Sequence, residues 1–140
     1  GNFQLNATFE YDNRPQKPKK TSKSTSEVYP RDGAVAENAL RHAGYKCEAN
    51  AEHYVFLRRS SSVNYTEPHH IVPLHARKDF PDIELDREQN IVSLCSNCHN
   101  QLHYGADVDT ILYPIFEERK ELLSSVGINI TYEQLKTYYK

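Results

Sequence analysis

The first eleven residues alternate between apolar and polar side chains. Phe3, Leu5, Ala7, Phe9 and Tyr11 occupy every second position, with polar residues between them. This period of two predicts a β-strand over residues 1–11. Because a lone strand is not stable in water, we expect it to pair with another part of the chain, with a second copy, or with an upstream region to which it belongs as an arm.

Residues 12–27 contain no apolar side chain and are rich in Pro, Lys, Ser and Thr. This composition is typical of a flexible linker. The linker is also basic, and its cations are placed to contact a phosphate backbone: Arg14, Lys17, Lys19, Lys20 and Lys23. A solvated hinge is the plainer interpretation of the same residues.

The middle of the chain alternates between helical and extended patterns. A helix is predicted over residues 32–43, with Asp32 as a suitable N-cap and Gly44 as a suitable end. Residues 54–75 have the pattern of extended pieces interrupted by serines and prolines, and residues 76–89 that of a loop. A short strand over residues 91–94 and a helix over residues 97–104 should follow, and Gly105 suits the end of that helix.

An amphipathic helical stripe follows in the C-terminal third: Ile111, Leu112, Ile115, Phe116, Leu122, Leu123 and Val126. Pro114 must lie in the first turn of this helix or kink it, and Gly127 suits its end. Thr131 and Gln134 predict a capping box for a last short helix. We expect these helices to cover the core rather than to carry chemistry.

Composition limits what this chain can be. The 140 residues amount to one domain with an arm, and 38% hydrophobic with 26% charged residues favours a modest core. No apolar run approaches the roughly 20 residues of a membrane helix, and no signal peptide opens the chain. The net charge of -2 gives no global basic field, so binding of nucleic acid would need local patches or a metal. The chain contains no Met, and we expect it to be a fragment of a longer protein.

Three cysteines beside seven histidines indicate metal binding rather than a disulfide framework. Cys95 and Cys98 form a C-x2-C pair, whose spacing lets two thiolates grip one zinc ion at a turn that opens a helix. Cys47 is the only other cysteine, and His53 is the nearest imidazole donor. We predict a structural zinc ion held by these four residues. The alternative is that Cys47 is a small buried hydrophobic residue and His53 an ordinary surface histidine.

A second group of donors consists of histidines. His99 and His103 are four residues apart and share a face of the predicted helix. Cys98 and His99 are neighbours, and successive helical side chains diverge by about 100°, so they cannot comfortably bind the same ion. The sequence therefore predicts two metal sites, one on each side of this helix.

Two adjacent histidines precede that helix, in the segment EPHHIVPL. Neighbours in a strand point to opposite faces, so one of His69 and His70 can bind an ion while the other remains free to accept a proton. An ion that holds a phosphate and a base that activates water are what metal-assisted phosphodiester cleavage requires.

The segments EPHHIVPL and NIVSLCSNCHNQLH resemble the HNH nucleases. The His69–His70 pair, Asn90 and His99 match the signature, and the likeness covers residues 45–105. It implies an α+β fold in which a ββα-metal core with a zinc knuckle is flanked by an N-terminal helix and C-terminal helices, with residues 28–140 as the nuclease domain. The sequence is most similar to HNH domains of bacterial restriction enzymes, including those that cut modified DNA. Asn50 departs from the pattern, because many relatives have a second cysteine there.

The resemblance also implies a role for each residue of the motif. His69 corresponds to the first metal ligand and His70 to the general base. Asn90 corresponds to the residue that fixes the ring of the base through a side-chain or backbone hydrogen bond. His99 corresponds to the metal ligand on the helix, and His103 to a further ligand or phosphate contact.

Charged residues that flank the motif complete the candidate site. Glu67 lies on the strand face of the first metal ligand, where it either orients that ligand, positions an arginine, or is only a strand-edge carboxylate. The basic residues Arg58, Arg59, Arg77 and Lys78 are candidate phosphate contacts, with solvated surface charge as the alternative.

The implied activity is cleavage of DNA by one divalent ion and His70 to leave 5′-phosphate and 3′-hydroxyl ends. Imidazole ligands favour Mn²⁺, Co²⁺, Ni²⁺ or Zn²⁺, and Mg²⁺ would suit if waters and phosphate complete its shell. The resemblance further implies a bacterial cytoplasmic enzyme with no membrane partner, an upstream recognition domain, and room for a homodimer, since cutting both strands needs two active sites. A zinc-stabilised binding module that no longer cuts and a toxin-type nuclease domain are the alternatives.

Overall fold

The computed structural model of the protein describes residues 14–15, 17–18 and 33–140. The strand predicted over residues 1–11, most of the linker predicted over residues 12–27, and the Asp32 cap lie outside the described residues. The division of the chain into arm, linker and domain therefore remains a prediction.

Four α-helices and a two-stranded sheet make up the regular structure of the described part, which confirms the predicted α+β class. In chain order the elements are α1 (Gly33–His42), β1 (Glu67–His70), β2 (Ile91–Leu94), α2 (Ser96–Tyr104), α3 (Asp109–Ser125) and α4 (Tyr132–Thr137). Two short 3₁₀ helices, Leu74–Asp79 and Glu88–Asn90, lie in the connection between the strands. In the part of the chain that the structure describes, no helix has the length and apolar character needed to cross a bilayer.

The strands β1 and β2 pair antiparallel, with Glu67 opposite Leu94 and His70 opposite Ile91. All four residues of β2 are buried, because helices cover the sheet on more than one side. The helix α2 begins two residues after β2 ends. Two strands followed at once by a helix form the ββα unit that the sequence predicted, and this unit carries most of the candidate site residues.

The extended pieces predicted from residue 54 onward form a single bridge between Leu57 and Asn64 instead of regular strands, with a turn and bends over residues 59–63. The backbone amide of Tyr65 donates to the carbonyl of Phe56 at 2.7 Å, and the two rings stack with their centroids 5.2 Å apart. These contacts close a hairpin that leads directly into β1.

Asn90 clamps the long connection between β1 and β2 to the end of β1. Its side-chain oxygen accepts a hydrogen bond from the amide of Val72 at 2.9 Å, and its side-chain nitrogen donates to the carbonyls of Val72 at 2.9 Å and Leu85 at 2.8 Å. The side chain is fully buried. Because all of its polar groups are satisfied by backbone, Asn90 fixes the path of a connection that has little regular structure of its own.

The helix α3 begins at Asp109, so Pro114 lies in its second turn, and the first of the two predicted alternatives, a place in the first turn, is wrong. Pro114 has no N–H to donate to the carbonyl of Thr110, yet the helix continues to Ser125. The predicted apolar stripe is largely confirmed, but Leu122 is 45% exposed whereas Leu123 is buried. Neighbouring helical positions diverge by about 100°, and only Leu123 faces the core.

The side chain of Arg119 ties α3 to the start of β2. Its guanidinium donates to the carbonyls of Gln89 and Ile91, both at 2.9 Å, and to the carboxylate of Glu48 at 2.8 Å. The α3 helix is therefore held against the ββα unit. This agrees with the prediction that the C-terminal helices cover the core.

The last helix, α4, is capped as expected: Thr131 accepts a hydrogen bond from the amide of Gln134 at 3.1 Å. Gly127, which ends α3, has a φ of +87°, a conformation that favours glycine. The turn it permits returns the chain so that the fully buried Leu135 packs into the core. As a result, the C-terminal residues of the chain lie beside β1.

We expect Asn90→Ala to lower the free energy of unfolding by about 3 kcal/mol or more, because several buried backbone groups would lose their partners. Urea denaturation of the zinc-loaded protein measures this change. Asn100→Ala is the matched control: its exposed side chain bonds only within α2, to the carbonyl of Ser96, and the expected change is below about 1 kcal/mol. Equal stability of Asn90→Ala and wild type would contradict the clamp.

Candidate functional site

Three cysteines and one histidine converge at the start of α2. The Nδ1 atom of His53 lies 3.5 Å from Sγ of Cys47, 3.7 Å from Sγ of Cys95 and 3.3 Å from Sγ of Cys98. With Zn–S near 2.3 Å and Zn–N near 2.0–2.1 Å, tetrahedral coordination requires sulfur–nitrogen distances of about 3.6 Å. The four predicted ligands therefore fit one zinc ion, with no open position left for a substrate.

Local hydrogen bonds bring these ligands together. Cys95 caps α2, its sulfur accepting a hydrogen bond from the amide of Cys98 at 3.4 Å. The amide of Glu48 donates to the carbonyl of Ser93 at 2.8 Å, and this bond holds the neighbouring Cys47 beside the end of β2. A cluster assembled from three separate segments is typical of a structural zinc site.

The acidities of the thiols fit a bound cation. Burial alone would raise the pKa of Cys47, but backbone hydrogen bonds from Cys95, Asn50 and Ala49 outweigh it and lower the pKa to about 7. The pKa of Cys98 is raised, chiefly by burial and then by the neighbouring sulfurs of Cys95 and Cys47. A second or third negative charge in this cluster therefore needs a positive charge among the sulfurs, which a bound zinc ion would supply.

Three imidazoles converge on the opposite side of α2. His69 comes from β1, and His99 and His103 come from α2; one nitrogen of each ring lies within 4.8 Å of the others. The Nε2 atoms of His99 and His103 are 3.0 Å apart. Two nitrogens that share an ion at about 2.1 Å lie about 3.0–3.4 Å apart. The three predicted ligands of the catalytic ion therefore form one cluster, separate from the sulfurs.

Glu67 orients His99, a partner that none of the three alternatives from the sequence named: orienting His69, positioning an arginine, or serving only as a strand-edge carboxylate. Its Oε1 atom accepts a hydrogen bond from Nδ1 of His99 at 2.7 Å, and its Oε2 atom accepts one from the hydroxyl of Ser96 at 2.6 Å. The proton on Nδ1 leaves the lone pair of His99 on Nε2. That lone pair points at Nε2 of His103, so a proton or a metal ion must lie between the two rings.

His69 is held in its neutral form at physiological pH. Burial, followed by the charges of His99, His103 and His70, lowers its pKa to about 3. Its Nε2 atom lies 2.8 Å from the hydroxyl of Tyr139. A neutral imidazole is the form that coordinates metal ions.

His70 faces away from this cluster and pairs with Asp86, whose Oδ1 atom lies 2.8 Å from its Nε2 atom. Both side chains are largely buried. The side-chain hydrogen bonds of Asn90 go to Val72 and Leu85, so the carboxylate that holds the ring of His70 is that of Asp86. Asn90 instead fixes the backbone at Leu85, next to this carboxylate.

The four basic residues predicted to contact phosphate differ in their exposure to solvent. The guanidinium of Arg58 pairs with Glu37 at 3.3 Å and lies 5.1 Å above the ring of Tyr45, which is a structural use. Arg59, in the hairpin, and Lys78, in the 3₁₀ helix Leu74–Asp79, are exposed, and Arg77 is half-buried.

Asp86 and Tyr139 were not recognised from the sequence. Asp86 lies in a segment read as a loop with no periodicity, and Tyr139 is 70 residues from its partner His69. Neither has a fixed spacing from the motif that could have marked it.

Removal of zinc by a chelator should destabilise the domain strongly, because the sulfurs would lose the cation that joins three segments. We expect about one tightly bound zinc ion per chain by elemental analysis and a large fall in the unfolding midpoint after chelation. His53→Ala should retain less zinc, whereas His42→Ala, exposed on α1, should retain as much as wild type. An unchanged midpoint after complete zinc removal would contradict the structural centre.

Comparison with known proteins agrees with this geometry. Residues 47–105 match the sequence model of a family described as HNH endonuclease. Over 104 residues the chain is 30% identical to a protein of Escherichia coli (strain K12) named Type IV methyl-directed restriction enzyme EcoKMcrA; the alignment covers 74% of this chain and 31% of that relative. The matched segment contains both metal clusters and His70. The resemblance inferred from the sequence is thereby confirmed, and residues 47–105 form an HNH endonuclease-like segment of the chain.

Proposed function

We propose that this domain hydrolyses phosphodiester bonds in DNA, with one divalent ion held by His69, His99 and His103 and with His70 as the general base. The observation that carries the proposal is the convergence of three imidazoles from β1 and α2 beside a fourth imidazole paired with a carboxylate. DNA as the substrate is supported by the similarity to a restriction enzyme.

When bound, the ion would stabilise charge on the scissile phosphate and on the leaving oxygen. The surrounding protein orients one proposed ligand of this ion and keeps another uncharged. Glu67 holds the ring of His99 so that Nε2 faces the other two rings, and burial keeps His69 uncharged. Three imidazole nitrogens favour Mn²⁺, Co²⁺, Ni²⁺ or Zn²⁺ over Mg²⁺.

His70 is suited to take a proton from the attacking water. Its lone pair is not used by the ion, because neighbours in a strand face opposite ways and the ring turns to Asp86. If Nε2 carries the proton shared with Asp86, Nδ1 is the basic nitrogen. A carboxylate in this position fixes the tautomer and stabilises the imidazolium that forms, as in other histidine bases.

Arg59 and Lys78 are the basic residues that we assign to the DNA backbone, because both are exposed. Arg58 serves instead to hold the hairpin against α1 through Glu37. The chain spans 31% of the length of its restriction-enzyme relative. We propose that recognition of sequence or modification lies in an upstream region, that two copies act together on both strands, and that the enzyme works in a bacterial-type cytoplasm.

Nicking of supercoiled plasmid in the presence of Mn²⁺ tests the activity. His70→Ala should lower the nicking rate by about 100- to 10,000-fold, the usual contribution of a general base, without loss of zinc. His75→Ala, whose exposed ring contacts Tyr138 outside the cluster, should cut like wild type. If wild type and His70→Ala are equally inert on modified and unmodified DNA, the domain is a binding module and the proposal is wrong.

Asp86→Asn should lower kcat by about tenfold or more while leaving KM unchanged, because the amide cannot stabilise the imidazolium of His70. Binding of Ni²⁺ to the histidine cluster, followed by calorimetry, should not change, since Asp86 contacts the base and not a ligand. An undiminished kcat would show that the pair is only structural.

A further inference from the structure

Tyr139 is a half-buried polar side chain that the proposed reaction does not use. Its hydroxyl lies 2.8 Å from Nε2 of His69 and 2.5 Å from the carbonyl oxygen of Ile71. Its ring centroid is 5.8 Å from that of His69. The hydroxyl therefore sits between a candidate metal ligand and the backbone just beyond β1.

The direction of these two hydrogen bonds follows from their chemistry. The carbonyl of Ile71 can only accept, and a tyrosine hydroxyl has one proton to donate. The hydroxyl proton therefore goes to Ile71, and the oxygen must accept from His69. For this to happen, Nε2 of His69 must carry the proton, which leaves the lone pair on Nδ1.

We propose that Tyr139 is a positioning residue for the catalytic ion: it selects the tautomer of His69 and fixes the angle of its ring, so that Nδ1 is offered to the cation. This inference rests on the proposed use of the three histidines as metal ligands. Glu67 does the same for His99 from the other side, by accepting from its Nδ1 atom at 2.7 Å.

The position of Tyr139 is set by α4. Thr131 caps this helix, and the fully buried Leu135 anchors it in the core. The hydroxyl of Tyr138, in contrast, donates to Asp79 at 2.6 Å, away from the cluster. Variants of the two adjacent tyrosines can therefore distinguish an effect on His69 from an effect on the packing of the C-terminal segment.

Calorimetric titration of the zinc-loaded protein with Ni²⁺ tests the proposal. Tyr139→Phe keeps the ring but removes the hydroxyl, and we expect its Kd for Ni²⁺ to rise about 10- to 100-fold, the usual effect of losing a partner of a metal-bound histidine. Tyr138→Phe should bind like wild type. A merely structural role would lower the unfolding midpoint of Tyr139→Phe and leave its Kd within about twofold of wild type, and that result would overturn the proposal.

A second measurement needs no variant and remains decisive if Tyr139→Phe fails to fold. Long-range ¹H–¹⁵N spectra of the zinc-loaded, Ni²⁺-free wild type should show His69 protonated on Nε2; protonation on Nδ1 would overturn the proposal. His99→Ala separates this failure from failure of the proposed function. If wild type binds Ni²⁺ no better than His99→Ala, the histidine cluster is not a metal site and the proposed function falls with the inference. If His99→Ala weakens binding and Tyr139→Phe does not, only the role of Tyr139 is wrong.

Discussion

Adjacent side chains of an α-helix point about 100° apart, and this constraint separates the two candidate metal centres. Cys98 and His99 follow one another in α2, yet the first joins the sulfur cluster and the second joins the imidazole cluster. One helix of nine residues thus carries members of both clusters, the one that fits a structural zinc ion and the one that we propose binds the catalytic ion. The sulfur cluster anchors the N-terminus of α2, and this anchor determines where His99 and His103 lie relative to β1.

The positions of His69 and His70 depend in turn on how β1 pairs with β2. The pairing with β2 places His69 opposite Val92 and His70 opposite Ile91. The buried side chain of Asn90 then holds the connection between the strands in place by hydrogen bonds to its backbone. Because Asn90 satisfies the backbone at Val72 and Leu85 together, it fixes the end of β1 and the segment that supplies Asp86. Asn90, which matches the HNH signature, therefore shapes the backbone around the proposed base.

The parts of the site with a fixed spacing could be predicted from the sequence. The C-x2-C pair, the two histidines four residues apart and the adjacent pair on the strand each follow from the geometry of one local element, and the structure brings them together as expected. The zinc donor His53 could be inferred by the chemistry of the donor set, although Asn50 interrupts the more common pattern. The end of α2 and the start of α4 could also be predicted, because Gly105 and the capping residue Thr131 mark them.

The groups that orient the ligands could not be predicted, since they come from elsewhere in the chain. Asp86 reaches His70 across an irregular connection, and Tyr139 reaches His69 from the C-terminus. Glu67 was a candidate from the sequence, but its partner is His99 on α2 and not a residue of its own strand. Such contacts depend on how the elements pack against one another, and the spacing of residues along the sequence does not indicate them.

The separation of the two centres is tested most directly by anomalous X-ray diffraction from crystals of the protein soaked with Mn²⁺, with data collected at the absorption edges of zinc and manganese. The account predicts a zinc peak among Cys47, His53, Cys95 and Cys98 and a manganese peak among His69, His99 and His103, on opposite sides of α2. A single metal position, or manganese bound away from the three histidines, would contradict it.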